Sequence, residues 1–243
     1  MTTVIIATRN RHKVDEIQAI LGAGFRYLTT NEFPGAPEVQ EDAGSFVGNA
    51  TKKAVALSKW LAAARANDTT ISESSSLVLA DDSGLEVDAL GGAPGVHSAR
   101  FAALDAGRPD NSSAAENNAK LLRLLRDVPL EKRKARFRCV LALTPIPGPT
   151  RQTASPVCAA DEVELQTELF EGVCNGHIDV APRGNGGFGY DPLFIPERYD
   201  QTFGQLPEQL KNQLSHRALA LAKIKSHLVQ WSQTPAEHEK NQT

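Results

Sequence analysis

Residues 79–101, LADDSGLEVDALGGAPGVHSARF, constrain the fold of this chain more than any other stretch. The apolar residues Leu77 to Ala80 predict a short buried strand. Asp81, Asp82, the hydroxyl of Ser83 and Gly84 follow at once. A core element is therefore expected to deliver several hard oxygen ligands where it meets solvent. Such a set suits Mg2+, which takes one or two carboxylates and keeps most of its waters for a phosphate ligand. The turn formers Gly91-Gly92-Ala93-Pro94-Gly95 exclude regular structure and read as a tight active-site loop. The competing reading is a polar strand end followed by an ordinary surface loop. The stretch alone does not choose between them.

At 243 residues the chain has room for one large domain or two small ones. A formal charge of −3 gives no general drive toward nucleic acid or an anionic membrane surface. Cys139, Cys158 and Cys174 are an odd, sparse set with no CxxC pair. They argue against a disulfide framework and a thiolate metal site, and for a reducing compartment. MTTVIIATRN is too weakly apolar for a signal peptide, and no apolar run approaches the roughly 20 residues that span a bilayer. A cytoplasmic protein with no membrane contact is expected.

Val4-Ile5-Ile6-Ala7 reads as a buried strand, and Val14, Ile17, Ile20 and Leu21 recur beyond it at helical spacing. Thr8, Asn10 and Lys13 then lie at a strand-to-helix junction. The free N–H groups of a first helical turn, with a lysine, make a phosphate cradle. An ordinary N-cap by Asn10 with a solvated Lys13 is the alternative. A second strand is expected from Phe25 to Leu28. A long helix follows from Ser45 to Ala64, with Phe46, Ala50, Ala54, Leu57, Leu61 and Ala64 as its apolar stripe. Asn49 and Lys53 stack four apart beside that stripe, aimed into a cleft unless Lys53 snorkels to water. Residues 65–76 read as a polar linker.

Ser113 and Glu116 predict a capping box on a helix over 111–128, with Leu121, Leu124, Leu125 and Val128 facing the core. The basic run 131–138 reads as a strand start with outward charges. Four prolines between Thr144 and Ala160 predict a long hairpin loop. Strands resume from Glu164 to Val180. Gly184, Gly186 and Gly189 formally match GxGxxG, but Pro192 and Pro196 forbid the helix that a dinucleotide fold requires there. A glycine-rich loop presenting Phe188 and Tyr190 instead suits a flat ring stacked on an aromatic face. His216 and Arg217 open the last helix, whose buried side is Ala218, Leu221, Ile224, Leu228 and Trp231. Two potential cations in a first turn oppose the macrodipole unless an anion or acidic neighbour is present. Residues 233–243 read as a polar, disordered tail. The chain is helix-rich before residue 130 and strand-rich after it, which predicts two lobes with a cleft between them.

Five strings carry a resemblance: TRNRHK (8–13), ED…SFVGNATKKA (41–54), ADDSGLEVDALGGAPGVHSARF (80–101), PRGNGGFGYDPLF (182–194) and KNQLSHRALAL (211–221). In this order, over about residues 3–230, they resemble the Ham1/RdgB-type inosine triphosphate pyrophosphatases, which remove deaminated purine nucleotides. The resemblance implies an elongated, two-lobed α/β fold, a mixed sheet flanked by helices with a cleft between the lobes. It implies one domain over 1–232, a homodimer, Mg2+ as cofactor, and ITP, dITP and XTP as substrates. The products would be a nucleoside monophosphate and pyrophosphate. By the same resemblance Thr8, Asn10 and Lys13 would hold the triphosphate, Lys53 would contact phosphate, and Arg9 would bind substrate. Glu41 and Asp82 would hold the metal, with Asp82 the base for the attacking water. Ser83 would contact substrate, Phe188, Gly189, Tyr190 and Asp191 would hold the purine, and Lys211, His216 and Arg217 would complete the site.

The chemistry is consistent with that set. Splitting an α–β phosphoanhydride needs an oriented water and charge relief on the leaving pyrophosphate. Donors aimed at the 6-oxo group would exclude adenine, whose 6-amino group meets them donor to donor. Gln40, His97, Gln205 and Gln209-Leu210 depart from the family pattern, and Gln40 leaves the metal carboxylate at position 41 open to a one-residue shift. A non-hydrolysing nucleotide sensor and a pyrophosphatase for other modified nucleotides are the rival functions.

Overall fold

The β-branched run Thr3–Ile6 (β1) is flanked on both sides by parallel strands, Arg26–Thr29 (β2) and Ser76–Val87 (β3). A parallel strand covered on both faces needs an unbroken apolar sequence, which Val4, Ile5 and Ile6 supply. The computed structural model describes residues 1–64, 76–108, 110–146 and 166–233, the last five by backbone alone. Helix α1 (Arg11–Leu21) joins β1 to β2, and α2 (Phe46–Ala64) precedes β3. Then come α3 (Ala114–Leu124), β4 (Lys134–Pro145), β5 (Glu168–Ile178), β6 (Phe194–Pro196), α4 (Glu208–Leu214) and α5 (His216–Gln233). The sheet order is β2-β1-β3-β4-β5-β6, with the pairs from β3 to β6 antiparallel. The mixed α/β class expected from sequence is what forms. The linker from residue 65 to 75, the proline-rich segment from 147 and the tail lie outside the described residues, as does the side chain of Trp231.

β3 corrects the expected short strand. It does not end at Ala80 but pairs with β4 from Leu77↔Pro145 to Val87↔Ala135, so Asp81, Asp82, Ser83 and Gly84 stand mid-strand. Side chains alternate across a sheet. Leu77 and Leu79 join the core beneath α1 and α5, while Val78 and Ala80 join the core beneath α2. Continuing that alternation, Asp81 faces α1 and α5, and Asp82 faces α2. This one-residue offset sends two neighbouring carboxylates into different environments.

The helix-rich and strand-rich halves of the sequence do not pack separately: a third core, at the far end of β3 and β4, gathers Leu85, Val87, Leu121, Leu125, Phe137 and Phe194. That core draws on α3, from the helix-rich half, and on β6, from the strand-rich half. Within α3 the capping box forms as expected: Ser113 accepts from the Glu116 N–H and Glu116 accepts from the Ser113 N–H. Leu124, expected in the core stripe, is 41% exposed, because α3 ends there and Leu125 takes the inward position. Ala64 is likewise exposed at the end of α2. Arg133 corrects the expectation of outward charges. It is buried, and its guanidinium caps the chain leaving α3 at the carbonyls of Leu125 and Val128 and reaches that of Asp179. No helix among the described residues is long and apolar enough to cross a membrane.

Gly172 of β5 sets how closely α5 approaches the sheet. A Cβ there would lie 2.0 Å from the His216 carbonyl oxygen and 2.6 Å from the Ala220 nitrogen. Both are backbone atoms that cannot rotate away. Gly172→Ala is therefore expected to lift the first turn of α5 and lower stability by about 1–3 kcal/mol, as overpacking does. Thermal unfolding read beside the affinity for nucleotide checks it, since both should fall together.

Candidate active site

Asp81 is the buried hub on the α1/α5 face. Oδ2 accepts from Arg217 Nε at 2.9 Å, and Oδ1 accepts from Lys13 Nζ and from the Ser83 hydroxyl at 2.9 Å. Burial alone would raise its pKa, yet Arg217 and Lys13 hold the carboxyl well below the usual range. Arg217 is 1% exposed and also pairs with Glu16, while its Nη2 donates to Ser83 Oγ at 3.0 Å. Glu16 in turn accepts from Lys211 at 2.7 Å, and Lys211 donates to Asp191 at 2.7 Å. The acidic neighbours demanded by a cation at the start of α5 are thus Asp81 and Glu16. Sequence reasoning missed Glu16, although it stands three residues from Lys13 on the same helix face.

On the α2 face, Asp82 meets Lys53 and Asn49. Lys53 Nζ donates to Asp82 Oδ1 at 2.9 Å, to Glu41 Oε1 at 2.7 Å and to the Asp81 carbonyl at 2.8 Å. Lys53 therefore does not snorkel. Burial raises the pKa of Asp82, with Lys53 opposing and Glu41 adding to the rise. Glu41 stays below its ordinary value, because Lys53 outweighs its partial burial. An ammonium held by two carboxylates on one side of a cavity marks a place built for a cation.

That cavity, about 330 Å3, is walled by Thr8, Arg9, Asn10, Lys13, Glu41, Lys53, Asp82 and Ser83 among others. Eight of the residues expected from sequence thus come together. Asn10 does cap α1, accepting from the Lys13 N–H at 3.3 Å, but Lys13 is not solvated. Arg9 stands at the exposed rim beside Glu38. The Gly91–Gly95 loop is not part of this wall: it lines a separate hollow with Ser45 and Arg138, and only Val96 and Ala99 beyond it reach the cavity.

Phe188, Lys211, His216 and Arg217 lie past Ser83, away from the cavity wall, linked to it through Arg217. Phe188 is half-buried, stacks on His12 with centroids 5.3 Å apart, and carries Lys211 Nζ at 4.9 Å from its ring centre. Tyr190 corrects the expectation of a second presented ring. It is buried, and its hydroxyl donates to the Ser98 carbonyl at 2.9 Å. Asp191 accepts from the Phe188 N–H at 2.7 Å, a turn that sends Tyr190 into the core and leaves Phe188 outside. The Gly189 carbonyl accepts from Asn118 at 3.1 Å, so Gly189 and Asp191 shape the loop rather than face the cavity.

His216 stacks on Phe137 at 4.8 Å, and its Nδ1 is buried without a hydrogen-bond partner. Burial, with Arg217 adjacent, pushes its pKa well below the usual histidine value, so the ring is neutral. The expected pair of cations is therefore one, Arg217. A base with a depressed folded pKa resists a proton that the unfolded chain takes up below about pH 6.5. Stability should fall as pH drops from 7 toward 5, and His216→Gln should flatten that slope in urea titrations across the same range. An unchanged slope would assign the acid sensitivity elsewhere.

The chain is 44% identical over 221 residues to the dITP/XTP pyrophosphatase of Desulforamulus reducens, covering 90% of this chain and 92% of that one. It is 44% identical over 229 residues to the dITP/XTP pyrophosphatase of Geobacter sulfurreducens, with 94% and 97% covered. Among solved structures, a HAM1 protein from Coxiella burnetii superposes with a TM-score of 0.72 at 32% identity, covering 95% of this chain and all of that one. The Staphylococcus aureus Ham1 protein gives 0.69 at 31% identity, with 94% and 99% covered. The model of the Ham1 family matches residues 4–227, and the chain belongs to that family.

Proposed function

We propose that this protein hydrolyses the triphosphates of deaminated purines (ITP, dITP and XTP) to the nucleoside monophosphate and pyrophosphate. The observation that carries the reading is the split of the two adjacent aspartates. Asp81 is neutralised by Lys13 and Arg217, while Asp82 faces an open cavity between Glu41 and Lys53. Thr8, Asn10 and Lys13 at the start of α1 cradle the triphosphate, with Arg9 at the mouth and Lys53 on the opposite wall. Asp82 orients a water for attack on the α-phosphorus and takes up its proton. The α–β P–O bond breaks, and the electron pair leaves with pyrophosphate. Phe188 stacks the purine, and Ser83, His216 and Arg217 approach it from the sheet side, with Lys211 behind them.

Glu41 and Asp82 fit Mg2+: they already bracket a cation, and that ion needs few protein carboxylates when phosphates and waters complete its shell. When bound, it would relieve charge on the departing pyrophosphate. We also infer a single two-lobed domain over residues 1–232, a homodimer and a cytoplasmic location; these rest on the family resemblance and, for the location, on the odd, sparse cysteine set. The deciding assay is pyrophosphate release from ITP, XTP, dITP, GTP and ATP, with Mg2+ and with EDTA. Mg2+-dependent release from the deaminated nucleotides, with little from GTP and ATP, is expected. Orthophosphate in its place would refute the bond assignment, and tight ITP binding without turnover would make the protein a sensor.

A further inference from the structure

Asn49 is 0% exposed on α2 and uses both ends of its amide. Its Oδ1 accepts from the Ala43 N–H at 3.0 Å, and its Nδ2 donates to Asp82 Oδ2 at 3.2 Å. Ala43 follows Glu41 by two residues, so one side chain ties the Glu41 segment to Asp82. Ser45 Oγ accepts from the Gly48 N–H at 3.1 Å, and Arg100 donates to the Glu41 carbonyl at 3.0 Å, fixing the same segment from either side. The fit is close: a Cβ on Gly48 would stand 2.6 Å from that of Ala43. The role calls for an acceptor and a donor on one short stem. Aspartate would lack the donor, leucine would lack both, and glutamine would be one carbon too long.

We propose that Asn49 is a positioning residue, which sets the Asp82 carboxylate and its distance from Glu41 for water attack. The inference rests on the reading of Asp82 above. Lys53 holds Oδ1, so without Asn49 the buried carboxylate would be free to turn about that single bond.

The test compares Asn49→Asp, which keeps the acceptor for Ala43 but not the donor for Asp82, with Asn49→Ala, which keeps neither. Both should lower kcat for ITP by about 10- to 100-fold, the effect typical of such supporting hydrogen bonds. KM, and the dissociation constant of non-hydrolysable α,β-methylene-ITP, should stay within about three-fold, because the phosphate and purine contacts are untouched. Gly48→Ala, which displaces the segment through Ala43 without altering Asn49 or Asp82, should reproduce part of the kcat loss. Asn49→Asp turning over at the wild-type rate would overturn the proposal. So would losses in kcat and analogue affinity that rise together, which is the mark of a general folding defect. Asp82→Asn run in parallel separates the two readings: if it stays active, the assignment of Asp82 fails. If it is inactive while both Asn49 variants are normal, only the role of Asn49 fails.

Discussion

Arg217→Met is expected to lose about 3–5 kcal/mol of stability at pH 7, the usual cost of removing one partner from a buried ion pair. For a domain of this size that is a fall in Tm of roughly 6–20 °C. The guanidinium joins Asp81, Glu16 and Ser83 across three elements, α5, β3 and α1. Without it two buried carboxylates share only Lys13 and Lys211. The sign of the pH dependence follows from their shifts. Burial opposes ionisation of both, but their cationic partners win, and both pKa values lie below the ordinary ones. Carboxylates depressed in the folded state contribute stability above their unfolded values, near 3.9 for Asp and 4.3 for Glu, and lose it as pH falls through the folded ones. The deficit of Arg217→Met should therefore be largest near neutrality and begin to shrink below about pH 4, as pH moves toward the depressed folded values and the carboxyls take up protons. Urea unfolding at pH 7 and at pH 3.5 reads this directly. A deficit equal at both values would mean that Arg217 acts by packing rather than by charge.

What could be read in the sequence follows the range of the interactions. The β1 run, the Ser113–Glu116 capping box, the Asn10 cap and the Asn49–Lys53 spacing depend on neighbours within one or two turns, and all are found in place. The length of β3 was not legible, because the charges at 81 and 82 mask its period-two pattern. They are tolerated in a strand only because Lys13, Arg217, Asn49 and Lys53 meet them from helices far along the chain. Arg217 lies 136 residues from Asp81 and 201 from Glu16, separations that no local pattern reports. The same limit explains Tyr190 and Arg133, which look like presented groups in a glycine-rich loop and a basic run but find buried carbonyl partners. The phosphate end of the site was legible as residue types at junctions. The buried charge network behind it was not.

Asp82→Asn should abolish measurable turnover, a loss of about 10^2- to 10^4-fold, the range expected when a positioned acid–base group is removed, and should do so without unfolding the protein. Burial and the nearby Glu41 make the Asp82 charge costly in the folded state despite Lys53, so its pKa lies above normal. A carboxylate raised in this way detracts from stability at neutral pH, and a neutral isostere removes that cost. Asn can still accept from Lys53, although its amide N–H2 would then face that of Asn49, a clash that offsets part of the gain. Tm within a few degrees of wild type is the expected net result. Asp81→Asn should behave in the opposite way. Its charge is stabilised by Lys13 and Arg217, so neutralising it takes the carboxylate from Lys13 and leaves Arg217 to Glu16, and the variant should be the less stable of the pair. Two residues adjacent in sequence and alike in chemistry are thus assigned different work by the alternation of a single strand. Turnover of ITP and thermal unfolding, measured on both variants, test that division. If Asp82→Asn proved the less stable and Asp81→Asn the less active at a temperature where each is folded, the two faces of β3 would have to exchange roles.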